Sequence, residues 1–273
     1  MAFFFFNFDY DKASPESILN HARKLLGNSV RGVHPDVRIA KNGNKGGLGQ
    51  IVEKFHFGYE NNSVSLPDFP DAGVELKCTP LKKLCDGSMI SKERLVLNVI
   101  DYVEEDGKSF STSSFMRKNA LLLLMFYLHL VGVDKLDYVF KIIRLWSIPK
   151  EDLKIFMDDW AVIHDKIMKG LAHELHGGDT LYLEACPKGE KKGKNLRKQP
   201  YSRVKAPQRA FAIKSSYLNQ IILDSITHPE MVHNLVVSQK QVDSIRKKMR
   251  QYGSIVRSRS DYKEHETFEH LVV

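Results

Sequence analysis

From Ala120 to Val133 the chain reads Ala-Leu-Leu-Leu-Leu-Met-Phe-Tyr-Leu-His-Leu-Val-Gly-Val, an almost unbroken apolar stretch. At about 14 residues it is shorter than the roughly 20 that a bilayer-spanning helix requires. It also lacks the apolar/polar alternation of a strand with one wet face. The stretch therefore reads as a strand buried on both faces, which demands a sheet with covering layers on either side. Residues 94–102 and 138–146 read as further strands, residues 106–119 as a polar loop and residues 28–44 as irregular chain. Helices are expected over residues 14–27, around the apolar stripe Leu48, Ile51, Val52 and Phe55, from Pro149 to about Leu175, over 215–226 and over 239–252. The fold class is α/β, a mixed β-sheet flanked by helices. The aromatic amino terminus, Phe3 to Phe8, lacks a basic flank and reads as a short strand or packing arm and not as a signal peptide.

Beside these strands lies a short polar segment, Pro-Asp-Phe-Pro-Asp-Ala-Gly-Val-Glu-Leu-Lys over residues 67–77. Glu75 and Lys77 are two apart, so on a strand both project from one face. A turn at Pro70, Asp71 and Gly73 would fold Asp68 back toward Glu75. Two carboxylates brought to one point repel unless a cation lies between them, and a small set of hard oxygen ligands suits Mg²⁺. A lysine beside such a pair can orient a water or stabilise charge on a phosphate. Glu-x-Lys by itself is common on solvated strands, so the pattern needs support from elsewhere in the chain.

Charge supplies some of it. The net charge of +8 favours a polyanionic partner. Between residues 188 and 209, six lysines and three arginines face the single acid Glu190, with glycines and prolines interspersed. That segment is expected to be a loop. It is either a solvated surface or an arm that neutralises phosphates and reads guanine edges. Glu53 lies beside the apolar stripe of its helix, where a surface charge is the plain expectation; Gly46 and Gly47 at that helix start would admit a close backbone or phosphate. The three cysteines include no CxxC pair, which points away from a zinc site or a disulfide framework and toward a reducing cytoplasm.

Several segments, in order, resemble the MutH/Sau-three-A-type family of GATC-specific DNA endonucleases. They are Lys45-Gly46-Gly47-Leu48-Gly49-Gln50 with Glu53, Asp68 with Gly73 to Lys77, Ser91 to Asn98, Thr112 to Phe115 with Lys118, Asp159-Trp160, Tyr182-Leu183, Pro187-Lys188, and Gln208 to Phe211 with Lys214. The resemblance implies a restriction-endonuclease-like PD-(D/E)xK fold, two lobes around a DNA cleft, and one catalytic domain over residues 1–273. It implies Glu53, Asp68, Glu75 and Lys77 as catalytic residues, and Mg²⁺ held by Asp68, Glu75 and the Leu76 carbonyl. Lys45, Gly46, Lys118, Lys188, Arg209 and Lys214 would bind double-stranded DNA containing GATC, with the reading loop at about 186–214. The implied activity is that of a type II restriction enzyme in a restriction-modification system. A mismatch-repair nickase and a non-catalytic DNA-binding module are the alternatives.

Two departures from the family pattern bear on specificity. Cys186 stands where the mismatch-repair enzyme has the arginine of an Arg-Pro-Lys run, so one recognition contact is absent or supplied from elsewhere. Ala212 stands where that enzyme has a tyrosine that senses adenine methylation, which implies cleavage regardless of that methylation. Restriction enzymes of this type run to nearly twice the present length. A homodimer on DNA, or a second MutH-like domain outside this chain, is the expected partner for cutting both strands of a palindrome.

Overall fold

The computed structural model describes residues 9–37, 47–59, 65–189 and 195–258, without the side chains of 253–258. The aromatic arm at residues 3–8, Lys45, Gly46 and most of the lysine run at 190–194 lie outside the described residues. The helices are α1 (Pro15–Arg23), α2 (Val30–Val33), α3 (Leu48–Phe55), α4 (Ser114–Asn119), α5 (Lys150–Met168), α6 (Ser215–Ser225) and α7 (Gln239–Ser258). The strands are β1 (Val74–Lys83), β2 (Met89–Ser91), β3 (Leu95–Val99), β4 (Leu121–Leu128), β5 (Phe140–Trp146), β6 (Leu183–Pro187), β7 (Leu196–Arg197), β8 (Ala206–Pro207) and β9 (Arg209–Ile213).

These elements divide into two compact units, each assembled from three separate stretches of chain. The first comprises residues 1–95, 118–147 and 218–237, the second 96–117, 148–217 and 238–273.

The first unit holds a mixed four-stranded sheet in the order β2-β1-β4-β5, with β1 and β4 parallel and the outer pairs antiparallel. β4 is the apolar run, and Leu122 to Phe126 are fully buried without alternation, as a strand covered on both faces requires. Each such side chain contributes on the order of 2 kcal/mol relative to an exposed one. The strand stops at Leu128, earlier than the apolar sequence does. Leu130, Val131 and Val133 follow it into a turn at Gly132 and remain exposed, Val131 by 94%. Ser14 caps α1 by accepting from the Ser17 N–H, with Pro15 at the first helical position, and α1 buries Ile18, Leu19 and Ala22. α3 buries its expected stripe, Leu48, Ile51 and Val52, in the same core as Val74, Leu76, Leu123 and Met125.

Three histidines join α1 to the end of α3. The His56 Nε2–H donates to the His21 carbonyl at 3.0 Å, and the His21 Nε2–H donates to the His56 carbonyl at 2.7 Å. That leaves His56 Nδ1 bare, and the His34 Nε2–H donates to it at 2.9 Å. Tyr10 stacks on His21, and the Lys24 ammonium lies 3.4 Å from His21 Nδ1. All three rings are held neutral: burial lowers the pKa of His21 and His34, and burial with the neighbouring His21 takes His56 down to about 3. An unfolded chain takes up these protons below about pH 6.5. The contribution of the triad is therefore complete above that value and falls as pH drops, by about 1.4 kcal/mol per pH unit for His56 alone. Buried Glu53 and Asp159, with raised pKa values, titrate in the opposite sense over the same range, so the test is differential. Between pH 7.5 and 5.5 the urea midpoint of His56→Gln should shift less toward instability than that of the native chain; equal shifts would exclude a neutral His56.

The second unit has a three-stranded sheet, β3-β9-β6, and a two-stranded ribbon, β7-β8. α5 buries Ile155, Phe156, Trp160, Ile163 and Ile167, and ends at Met168 before Gly170 (φ 67°), short of the expected Leu175. Asp159 of α5 is buried, and its carboxylate accepts from the Leu181, Tyr182 and Leu183 N–H groups at 2.8, 2.5 and 2.9 Å. Residues 106–119, expected as loop throughout, contain α4. Ser113 supplies its cap, with the hydroxyl accepting from Met116 N–H at 3.2 Å, and the Ser114 N–H donates to the buried Glu105 carboxylate at 3.0 Å. Residues 28–44, expected to be irregular, contain α2, capped by Ser29. Cys78, Cys85 and Cys186 form no disulfide among the described residues. No described helix is long and apolar enough to cross a membrane.

Candidate active site

The site grows out of the turn before β1. Pro70 to Ala72 form one turn of 3-10 helix, and Gly73 closes it at φ 64°, a backbone conformation that glycine adopts without strain. Phe69 and Val74 then pair with each other, N–H to carbonyl in both directions at 2.9 and 3.2 Å. This small hairpin folds Asp68 back over the start of β1. The Asp68 N–H donates to Glu75 Oε2 at 3.1 Å, and the Leu76 N–H donates to Asp68 Oδ2 at 2.9 Å. The two carboxyls are thus locked together through each other's backbone. Lys77, one strand repeat beyond Glu75, donates to Glu75 Oε1 at 2.5 Å.

Lys118 arrives by sheet topology. Because β1 and β4 are parallel, with Val74 opposite Leu121, both strands begin at the same end of the sheet. Lys118 precedes Leu121 by three residues, and its ammonium lies 3.7 Å from Glu75 Oε1. Glu53 comes from α3. It is 9% exposed, and its Oε2 is buried without a hydrogen-bond partner among the described residues. Burial raises its pKa to about 7; the nearby Asp68 and Glu75 add to the rise, and Lys77 and Lys118 oppose it. Burial raises Glu75 as well, with Lys77 opposing. Glu53 is thus a core-facing member of the acidic group and not the solvent-facing charge that its place beside the stripe suggests.

Among the described residues, three carboxyls here face two ammonium groups. The surplus negative charge, the orphaned oxygen of Glu53 and the hard oxygen donors fit a divalent cation of the Mg²⁺ type. No three His, Cys, Asp or Glu side chains among the described residues are grouped to hold a metal on their own. Tyr59 was not singled out from sequence. Its buried hydroxyl has no hydrogen-bond partner among the described residues, and burial together with the fields of Asp68 and Glu53 raises its pKa. Nothing in its local sequence marks it, because its place depends on the chain turning at Gly58 after α3.

Residues 57–159, which include Asp68, Glu75, Lys77 and Lys118, match the family model described as DNA mismatch repair enzyme MutH. The chain carries a MutH family domain. Over 237 residues it is also 38% identical to the type II restriction enzyme Sau3AI of Staphylococcus aureus, an alignment covering 84% of this chain and 48% of that protein. The chain spans about half the length of that relative. Glu53 lies just ahead of the stretch matched to the MutH family, and the basic segment lies beyond it.

The cations expected to bind DNA are placed differently from one another. Lys118 is in the acidic group of the MutH family domain, as described. Lys188 is exposed. Arg209 is half-buried, its guanidinium donating to the Ala185 carbonyl at 2.9 Å, with Nε buried and without a hydrogen-bond partner among the described residues. The Lys214 ammonium donates to the Thr180 carbonyl, and its charge acts on the buried Asp159. Arg209 and Lys214 therefore tie parts of their own unit together. Cys186 and Ala212 are buried, packed in one small cluster with Ala210 and Val96.

Proposed function

We propose that this chain is a Mg²⁺-dependent endonuclease that hydrolyses double-stranded DNA at GATC as part of a restriction-modification system. The observation that carries the reading is the lock between Asp68 and Glu75, with Lys77 hydrogen-bonded to the same carboxylate and Glu53 behind it. The likeness to a type II restriction enzyme supports it. The 273 residues act as one catalytic domain built from both units.

In this reading Asp68, Glu75 and the Leu76 carbonyl hold the ion, which supplies Lewis-acid stabilisation of the charged phosphate. Lys77 holds the attacking water and stabilises the charge that develops on phosphorus oxygens. The water oxygen bonds to phosphorus in line as the bond to the 3′ oxygen breaks, leaving 5′-phosphate and 3′-hydroxyl ends. Glu53 and Lys118 tune the position and charge of that pair. A palindrome calls for a second protomer or a second domain.

The test is incubation with plasmid DNA and Mg²⁺, with the ends mapped. Cutting at GATC, lost on chelation, supports the reading; ends at unrelated sequences overturn it. The match to the mismatch-repair family makes nicking the second reading, separated by whether the product is an open circle or linear. Ala212 is fully buried and offers no ring to a methyl group. Fully methylated and unmethylated GATC duplexes should therefore be cut at rates within about two-fold, a difference under roughly 0.5 kcal/mol. Strong discrimination would exclude this part of the reading.

A further inference from the structure

We infer that Arg197, held in place by Gln208, is a specificity-determining residue that reads a guanine of the target from the major groove. The inference rests on the proposed cleavage of GATC DNA.

With Arg209 and Lys214 engaged inside their own unit, most of the exposed cations among the described residues of this segment lie on the β7-β8 hairpin. Leu196 pairs with Pro207 and Arg197 with Ala206, and Arg197, Lys198, Arg203 and Lys205 are exposed. A two-stranded ribbon of this kind fits the width of a major groove.

The ribbon is fastened to its unit at several points. Gln199 is 6% exposed; its Oε1 accepts from the Ala172 N–H at 2.7 Å, and its Nε2 donates to the Val204 carbonyl at 2.6 Å. Tyr201, at φ 57°, donates to the Asp106 carboxylate at 3.1 Å. Gly170 lies so close beneath that a Cβ there would sit 2.8 Å from the Tyr201 carbonyl. The basic segment is thus a braced ribbon in its described part, and a segment fastened in this way loses less entropy on binding than a free one.

Arg197 is oriented one step further. Its Nε–H donates to Gln208 Oε1 at 2.7 Å, and a second guanidinium nitrogen donates to the same oxygen. Gln208 is itself fixed, its N–H donating to the Asn195 carbonyl at 2.8 Å and its carbonyl accepting from the Lys188 N–H at 3.0 Å. The clamp is a neutral amide, and among the described residues no carboxylate pairs with Arg197, so its charge is kept while its plane is fixed. A lysine that binds phosphate needs no such orientation. A planar guanidinium that meets guanine O6 and N7 with two parallel bonds does. Lys198, Arg203 and Lys205 supply the phosphate contacts around it.

The test compares the native chain with Arg197→Ala and Gln208→Ala on three duplexes: GATC, the same site with 7-deazaguanine, which lacks the N7 acceptor, and a scrambled site. The native chain should lose about ten-fold in kcat/KM on the 7-deazaguanine duplex. Arg197→Ala should lose about ten-fold on ordinary GATC DNA and nothing further on 7-deazaguanine, with Gln208→Ala intermediate. Binding to the scrambled duplex, and its salt dependence, should be unchanged. The inference is overturned if the native chain ignores 7-deazaguanine, or if Arg197→Ala keeps the ten-fold penalty. It is also overturned if Arg197→Ala weakens specific and scrambled binding equally and the salt slope drops by about one, the signature of a phosphate contact. A native chain that does not distinguish GATC from the scrambled site rejects the proposed function itself; discrimination that survives in Arg197→Ala rejects only the role of this residue.

Discussion

Asp68→Asn and Glu75→Gln should each reduce cleavage of GATC plasmid by on the order of 10³-fold while leaving DNA affinity within about two-fold. Both changes keep an oxygen in place of the carboxylate that now accepts from Leu76 N–H or Asp68 N–H, so the hairpin before β1 can persist. What they remove is charge, and with it the anchor of the Lys77 ammonium at Glu75 and, on the proposed reading, the ability to hold a divalent ion. Glu75 is almost fully buried and its pKa is raised by that burial, so its charged form weighs against the fold. Glu75→Gln should consequently raise the melting temperature as it removes activity, the trade expected where a site keeps a destabilised charge for function. Plasmid cleavage, filter binding and a thermal melt on the same preparations check all three parts. Retained turnover in Glu75→Gln would remove the metal role assigned to it.

The second large effect is structural. Asp159→Ala should abolish cooperative folding of the second unit, seen as loss of soluble protein or of a sharp thermal transition. The carboxylate of Asp159 satisfies three backbone N–H groups in a row at a buried position, and alanine would leave all three without a partner. At about 1–3 kcal/mol for each unsatisfied buried group, the loss rivals the whole stability of an ordinary domain, about 5–15 kcal/mol. Asp159→Asn keeps one acceptor oxygen and should fold with a lowered midpoint. A native-like melt in Asp159→Ala would show that water reaches those amides.

Much of the acidic group was legible in the sequence because its geometry is local. The turn signals at Pro70 and Gly73 and the two-residue spacing of Glu75 and Lys77 act over ten residues, and the hairpin before β1 has the form they imply. The apolar run marked β4 for the same reason. Lys118 was legible only through a family likeness, since its place beside Glu75 depends on β1 and β4 running parallel. α4 was missed because its start is fixed by a cap at Ser113 and by Glu105, a tertiary partner that no local pattern announces. The basic segment announced its charge but not its order. Composition could not say that Gln199 is buried while Arg197 two residues earlier is exposed, nor that Arg209 and Lys214 turn inward.

The weaving of the chain through both units has a consequence for how such a protein can change. The acidic group belongs wholly to the first unit and the β7-β8 ribbon wholly to the second, yet neither unit is a contiguous length of chain. A single genetic crossover cannot exchange one unit for that of a relative and leave the other whole, because no cut point puts all of one unit on one side and all of the other on the other side. New target preferences would have to accumulate by point substitution on the ribbon, one side chain at a time, under a chemistry that stays fixed. Deletion and domain-grafting experiments face the same restriction, whereas residue-by-residue redesign of positions 196 to 208 does not.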